Sequence, residues 1–215
     1  MSYRLTTLAL CWCVAMTAHS DGTEPAGTTA TTQLAACLTC HGDAGQGIKA
    51  MGAPKLANLD AWYIERQLRH FRDGVRGTDP MDTAGAQMRA SASALSDDSI
   101  NSLSAALAAR SDTLSPASFE ANAMAGKGLY AHQCGACHGP SGIGNEIIGA
   151  PRIAGLDDWY ALDQLQKFTR GVRGGNEKDR HGSQMVFVMS RNSNEAEHKD
   201  IIAYLRDPAA VESMQ

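Results

Sequence analysis

The chain has no excess of basic charge, no spare cysteine pair, no strand-like alternation and no apolar stretch able to cross a bilayer with ease. It carries 19 Lys and Arg against 23 Asp and Glu, a formal charge of −4. That leaves no positive field for a nucleic acid, and this partner class is set aside. Four of the six cysteines sit in a repeated motif, and the others, Cys11 and Cys13, fall within the first 20 residues. No pair remains for a structural disulfide. The apolar run from Leu5 to Met16 is shorter than the roughly 20 residues a membrane helix needs. It follows Arg4 and precedes small residues at Ala18 and Ser20. We read residues 1–20 as a signal peptide cleaved near Ala18 to Ser20, with an uncleaved anchor as the lesser reading. Bulky Leu10 ahead of Cys11 argues against a lipoprotein site. The 215 residues, 43% hydrophobic, suit a soluble protein of two small domains.

What the chain does have is one pentapeptide twice: Cys37-Leu38-Thr39-Cys40-His41 and Cys134-Gly135-Ala136-Cys137-His138. C-x-x-C-H is the pattern of c-type haem attachment, two thioethers from the cysteines and one axial bond from the histidine. Cysteines three apart lie about one helical turn apart, and the histidine then points under the ring they hold. A redox dithiol or half a zinc site would need the cysteines alone. Neither explains a histidine following both copies. Haem of this type is attached outside the cytoplasm in bacteria, so the motif and the export signal agree.

His138 follows His41 by 97 residues, and the offset extends well beyond the motifs. It relates Gly52-Ala53-Pro54 to Gly149-Ala150-Pro151, Trp62-Tyr63 to Trp159-Tyr160, Gln67-Leu68 to Gln164-Leu165, and Gly74-Val75-Arg76-Gly77 to Gly171-Val172-Arg173-Gly174. The halves are one module duplicated. Among the methionines only Met88 and Met185 match at this offset, each 47 residues after its motif histidine. They are the candidates for the second axial position, with Met81 and Met189 as rivals and core packing as the alternative role. No histidine outside the motifs has a partner at the offset.

The pattern predicts helices over 33–41 and 119–138 leading into the motifs, helices capped by Asp60 and Asp157, and last helices opening at Ser96 and Ser193. Ile64, Leu68 and Phe71, then Leu162, Leu165 and Phe168, give the middle pair its apolar face. Residues 21–32, rich in Gly, Thr and Pro, read as a disordered leader. Domain 1 then covers 33–109, a linker 110–118, domain 2 119–207, and a tail 208–215. The expected fold is all-α: two tandem domains, each a few helices wrapped around one covalent haem.

From about residue 33 to 207 these motifs resemble dihaem class I cytochromes c of the c4 type. The resemblance rests on C-x-x-C-H-G twice, on Gly-Ala-Pro-Lys-Leu and Gly-Ala-Pro-Arg-Ile, and on a methionine eight residues before a capping serine. It implies His41 with Met88 and His138 with Met185 as axial ligands of two covalent haem c groups. It also implies that the Pro54 and Pro151 carbonyls bind the histidines, and that Trp62, Tyr63, Arg76, Trp159, Tyr160 and Arg173 stand near haem propionates. For these the plainer roles are helix packing and, for the arginines, a solvated face. The first module lacks the Gly126-Lys127-Gly128-Leu129-Tyr130 stretch of the second, so its first helix is expected to be short or loosely packed. The function implied is a periplasmic, monomeric respiratory electron carrier working near the membrane surface. Its donor would be a bc1-type complex or a dehydrogenase, its acceptor a terminal oxidase. The alternatives are a dihaem redox enzyme, either a peroxidase or a thiosulfate-oxidising cytochrome, and an electron-transfer subunit of a larger dehydrogenase.

Overall fold

The computed structural model describes residues 26–207. The signal segment, Cys11, Cys13 and the 208–215 tail lie outside them. The described residues are helical and contain no strand, as expected of an all-α fold. The first module holds α1 (Ala26–His41), α2 (Ala61–Arg72), α3 (Thr83–Ala92) and α4 (Asp97–Ala108). The second holds α5 (Ala123–Gln133), α6 (Gly135–His138), α7 (Asp158–Thr169), α8 (Arg180–Met189) and α9 (Glu195–Leu205). Each has one 3-10 turn, Lys49–Met51 or Glu146–Ile148, closed by an isolated bridge, Ile48 to Ala53 or Asn145 to Ala150.

Apolar residues at helical spacing build both cores. In the first module Ile64 and Leu68 of α2 meet Ile100, Leu103 and Leu107 of α4, with Leu34 and Leu38 of α1 against them. Ser96 caps α4 by accepting the Ser99 N–H at 3.1 Å. In the second, Tyr130 of α5 packs on Ile201, Tyr204 and Leu205 of α9.

Several boundaries differ from expectation. α1 begins at Ala26, so residues 26–32 are helix and not disordered leader, and this helix is not short. The second motif is reached by two helices broken at Cys134, and α5 starts at Ala123 because the Asn122 side chain accepts the Ala125 N–H at 3.1 Å. Ser118, directly before the 119–138 stretch expected to be helical, donates its hydroxyl to Asp158 at 2.7 Å and caps no helix there. The cap of α9 is Asn194, one residue after Ser193. Asp60 and Asp157 precede α2 and α7 without capping them through their side chains. Asp157 accepts the Lys55 N–H at 2.9 Å and the Ser115 hydroxyl at 2.7 Å, tying module to module and to linker. Helices α3 and α8, which carry Met88 and Met185, are not among the helices the sequence pattern predicts. Their signal is the repeated Asp-x-x-Gly, where Asp82 and Asp179 accept the Gly85 and Gly182 N–H groups at 2.9 and 2.8 Å.

Gly126 sets how closely α5 approaches α9: a Cβ there would stand 1.9 Å from the Asp200 carbonyl oxygen. Gly128, on the same helix, has open space at that position. Gly126→Ala should therefore lower the denaturant midpoint of the holoprotein, while Gly128→Ala should raise stability by about 0.5–1 kcal/mol through helix propensity. Equal effects would contradict this packing.

Candidate functional site

Each motif ends on a buried histidine held by one backbone bond. His41, the last residue of α1, lies with Nδ1 2.7 Å from the Pro54 carbonyl oxygen, and His138 with Nδ1 2.8 Å from that of Pro151. An N–H at Nδ1 donates to the carbonyl, which leaves Nε2 as the basic nitrogen, the form a metal ligand needs. Burial lowers both imidazole pKa values, against the opposing pull of the proline carbonyl, and so favours the neutral ring. The loop reaches the proline only through glycine. Gly47 and Gly144 have φ of +85° and +88°, and a Cβ on either would lie 2.6 Å from the nitrogen of Lys55 or Arg152.

Both histidines face one mainly apolar cavity of about 1510 Å³ that runs through the two modules. Cys37, Cys40, Cys134, Cys137, Met88, Met185 and Met189 line it as well. Met81 is 63% exposed and does not line it. The four motif cysteines form no disulfide with one another, and the second of each pair is exposed. Burial raises the Cys37 pKa and pushes Cys134 up to about 11. A redox dithiol needs the reverse, a leading cysteine whose pKa is depressed. Among the described residues no three His, Cys, Asp or Glu side chains converge as a zinc site would require.

Between the modules lies a reciprocal polar lattice. Arg76 donates to Gln67 at 2.7 Å in its own module, and to Gln164 at 2.8 Å and the Tyr160 hydroxyl at 3.2 Å in the other. Arg173 donates to Gln164 at 2.8 Å, and across to the Tyr63 hydroxyl at 2.9 Å and Gln67 at 3.1 Å. Each guanidinium also covers a phenylalanine ring, Phe71 or Phe168, at 4.5 and 4.7 Å. Both arginines are only 8% exposed, which removes the solvated-face reading. Tyr63 and Tyr160 line the cavity, whereas Trp62 and Trp159 do not and pack edge-on against them at 5.9 Å.

The residues present fit two haems. The motif thiols, the oriented histidines and the methionines surround one apolar space. The arginines beside it are buried cations whose hydrogen bonds in the described residues go to neutral oxygens, and Arg76 Nε has no partner. Buried positive charge of this kind calls for an anion, such as a carboxylate borne by the group in the cavity.

The shared glutamines were visible as repeats, but sequence reasoning assigned them no role. It also missed Lys167, Asp82 and His198. His198 lines the cavity, with Nε2 2.7 Å from the Asn192 carbonyl oxygen.

The cytochrome c family model matches residues 27–107 and again 123–208. A thiosulfate dehydrogenase electron acceptor of Stutzerimonas stutzeri is 35% identical over 68% of this chain and 69% of its own. The cytochrome c4 structure from Acidithiobacillus ferrooxidans superposes with a TM-score of 0.65 at 28% identity, covering 82% of this chain and 98% of that one. A thiosulfate dehydrogenase from Marichromatium purpuratum superposes with a TM-score of 0.61 at 30% identity over 79% of this chain. This chain spans about a third of that longer one, 35%. Two matched domains, each with its own C-x-x-C-H motif, thus place the chain in the cytochrome c family, as a dihaem electron carrier of the c4 type with one covalent haem c per domain.

Proposed function

We propose that the protein shuttles single electrons in the periplasm from a thiosulfate-oxidising dehydrogenase to a respiratory acceptor such as a terminal oxidase, without substrate turnover of its own. A bc1-type complex is the other donor of this class. In this reading Cys37 and Cys40, and Cys134 and Cys137, form the thioethers, and His41 with Met88 and His138 with Met185 fill the axial positions. When bound, each haem takes up and gives back one electron, and a thioether ligand favours the reduced state. The protein's own residues do the rest. Pro54 and Pro151 hold the histidines oriented while burial keeps them neutral, the apolar lining excludes water, and Arg76 and Arg173 receive the propionates with Tyr63 and Tyr160 beside them.

The observation that carries this reading is the pairing, in both modules, of a buried histidine fixed through Nδ1 with a methionine at the same repeat position lining the same cavity. Two ligands per iron leave no position for a substrate, which argues against the peroxidase alternative. Met189 is the remaining rival in the second module. The likeness to a thiosulfate dehydrogenase electron acceptor supports the choice of donor. It also favours a second reading, in which the chain stays bound to that dehydrogenase as its electron-accepting subunit.

The sulfur-to-iron charge-transfer band of the oxidised protein should correspond to two methionine-ligated haems. Met88→Ala and Met185→Ala should each remove one haem's contribution, and Met189→Ala neither. A band that survives Met185→Ala would contradict the assignment. A purified thiosulfate dehydrogenase given thiosulfate should reduce the protein by two electrons per chain. No reduction would exclude this donor, and a complex that survives gel filtration would favour the subunit reading over the free carrier.

A further inference from the structure

Each methionine helix opens on an aspartate that faces a basic residue of the opposite module. At the cap of α3, Asp82 Oδ1 meets Lys167 Nζ of α7 at 2.9 Å, and Lys167 also reaches Asp163 at 2.7 Å. At the cap of α8, Asp179 Oδ1 faces His70 Nδ1 of α2 at 3.9 Å. Lys167 and His70 occupy the same position of the repeat, as do Asp82 and Asp179. Both aspartates line the cavity. The first contact is a permanent ion pair. The second lies beyond hydrogen-bonding distance, and His70 Nδ1 is buried without a hydrogen-bond partner. The ring nitrogen thus stands near a carboxylate with no hydrogen bond between them. A proton on Nδ1 would convert this contact into the bond its counterpart already makes.

We infer that His70 is a proton-operated positioning residue for the second methionine helix, so that electron uptake by the second haem is linked to proton uptake at His70, while Lys167 leaves the first haem without this linkage. The inference rests on Met185 being an axial ligand. One electron enters the second module and one proton from solvent binds Nδ1, so the local charge is unchanged. The added negative charge favours the imidazolium, and by reciprocity the imidazolium favours reduction. The groups facing the ring are Asp179 from the α8 cap, Arg66 from its own helix, Arg76 from the turn after it, and Arg173 from the turn after α7. Burial and the three arginines oppose protonation and Asp179 promotes it, the balance holding the pKa below the ordinary histidine value. The potential of the second haem should therefore be highest at acidic pH and fall as His70 loses its proton.

The test is a potentiometric titration of the holoprotein between about pH 5 and 8, where histidine changes charge, with the charge-transfer band recorded on the same samples. In the wild type one of the two potentials should fall with rising pH. His70→Lys and His70→Gln should abolish that slope, and Lys167→His should give a slope to both haems. Two flat potentials in a wild type that shows both methionine bands would overturn the inference and leave the ligand assignment standing. A slope that persists in both His70 variants would overturn it as well. A wild type lacking the second methionine band would overturn the assignment and the inference together.

Discussion

The rest of the molecule depends on two arginines buried where its halves meet. Arg76 and Arg173 each bind a glutamine of their own module and the glutamine and tyrosine of the other. Gln67 and Gln164 are thereby shared, so neither module can shift without breaking bonds in both. Burying two like charges together is costly unless opposite charge is supplied nearby. Asp82 and Asp179 supply part of it at longer range, and the cavity between the arginines provides room for more. One arrangement thus fixes how the modules sit, merges their pockets into one apolar space, and sets the polarity of the group that space accepts.

Duplication explains the symmetry of this arrangement, and divergence explains its inequalities. Proline carbonyl, histidine, glycine loop and methionine helix recur with distances equal to about 0.1 Å, since the same local chemistry is required twice. Positions away from the metal have drifted. Asp157 holds the first module's Lys55 N–H and the linker's Ser115, while its repeat partner Asp60 makes no such contact. Lys167 and His70 share a position but not a charge. The second module also closes its terminal helices over Gly126, a residue the first module replaces with Thr29. The two haem sites are built alike and surrounded differently.

Much of this was legible in the chain because covalent and coordinate chemistry tolerates little variation. The motif cysteines and histidines follow from spacing, and the matched methionines from the offset. Helices α2 and α4 follow from Ile64, Leu68, Ile100, Leu103 and Leu107. What escaped reading depends on long-range partners. Helix α7 buries Gln164 and Lys167, polar residues that look solvent-facing until the other module supplies their hydrogen bonds and ion pairs. Helix α3 has little apolar period because it is built mainly of Ala, Ser, Thr and Gly around Met88. The threonine-rich start of α1 resembled a leader because threonine favours helix weakly. Packing of Leu34 and Leu38 further along the same helix outweighs that preference.

The central claim is that both irons are closed, each held by a histidine and a methionine, and that the chain moves electrons without binding substrate. Exposure of the fully reduced holoprotein to carbon monoxide tests it most directly, because a closed ferrous iron does not take the ligand and an open one does. The account predicts no change in the Soret band at either haem at neutral pH. Rapid formation of a carbon monoxide adduct at one haem per chain would contradict it and point to a site built for chemistry.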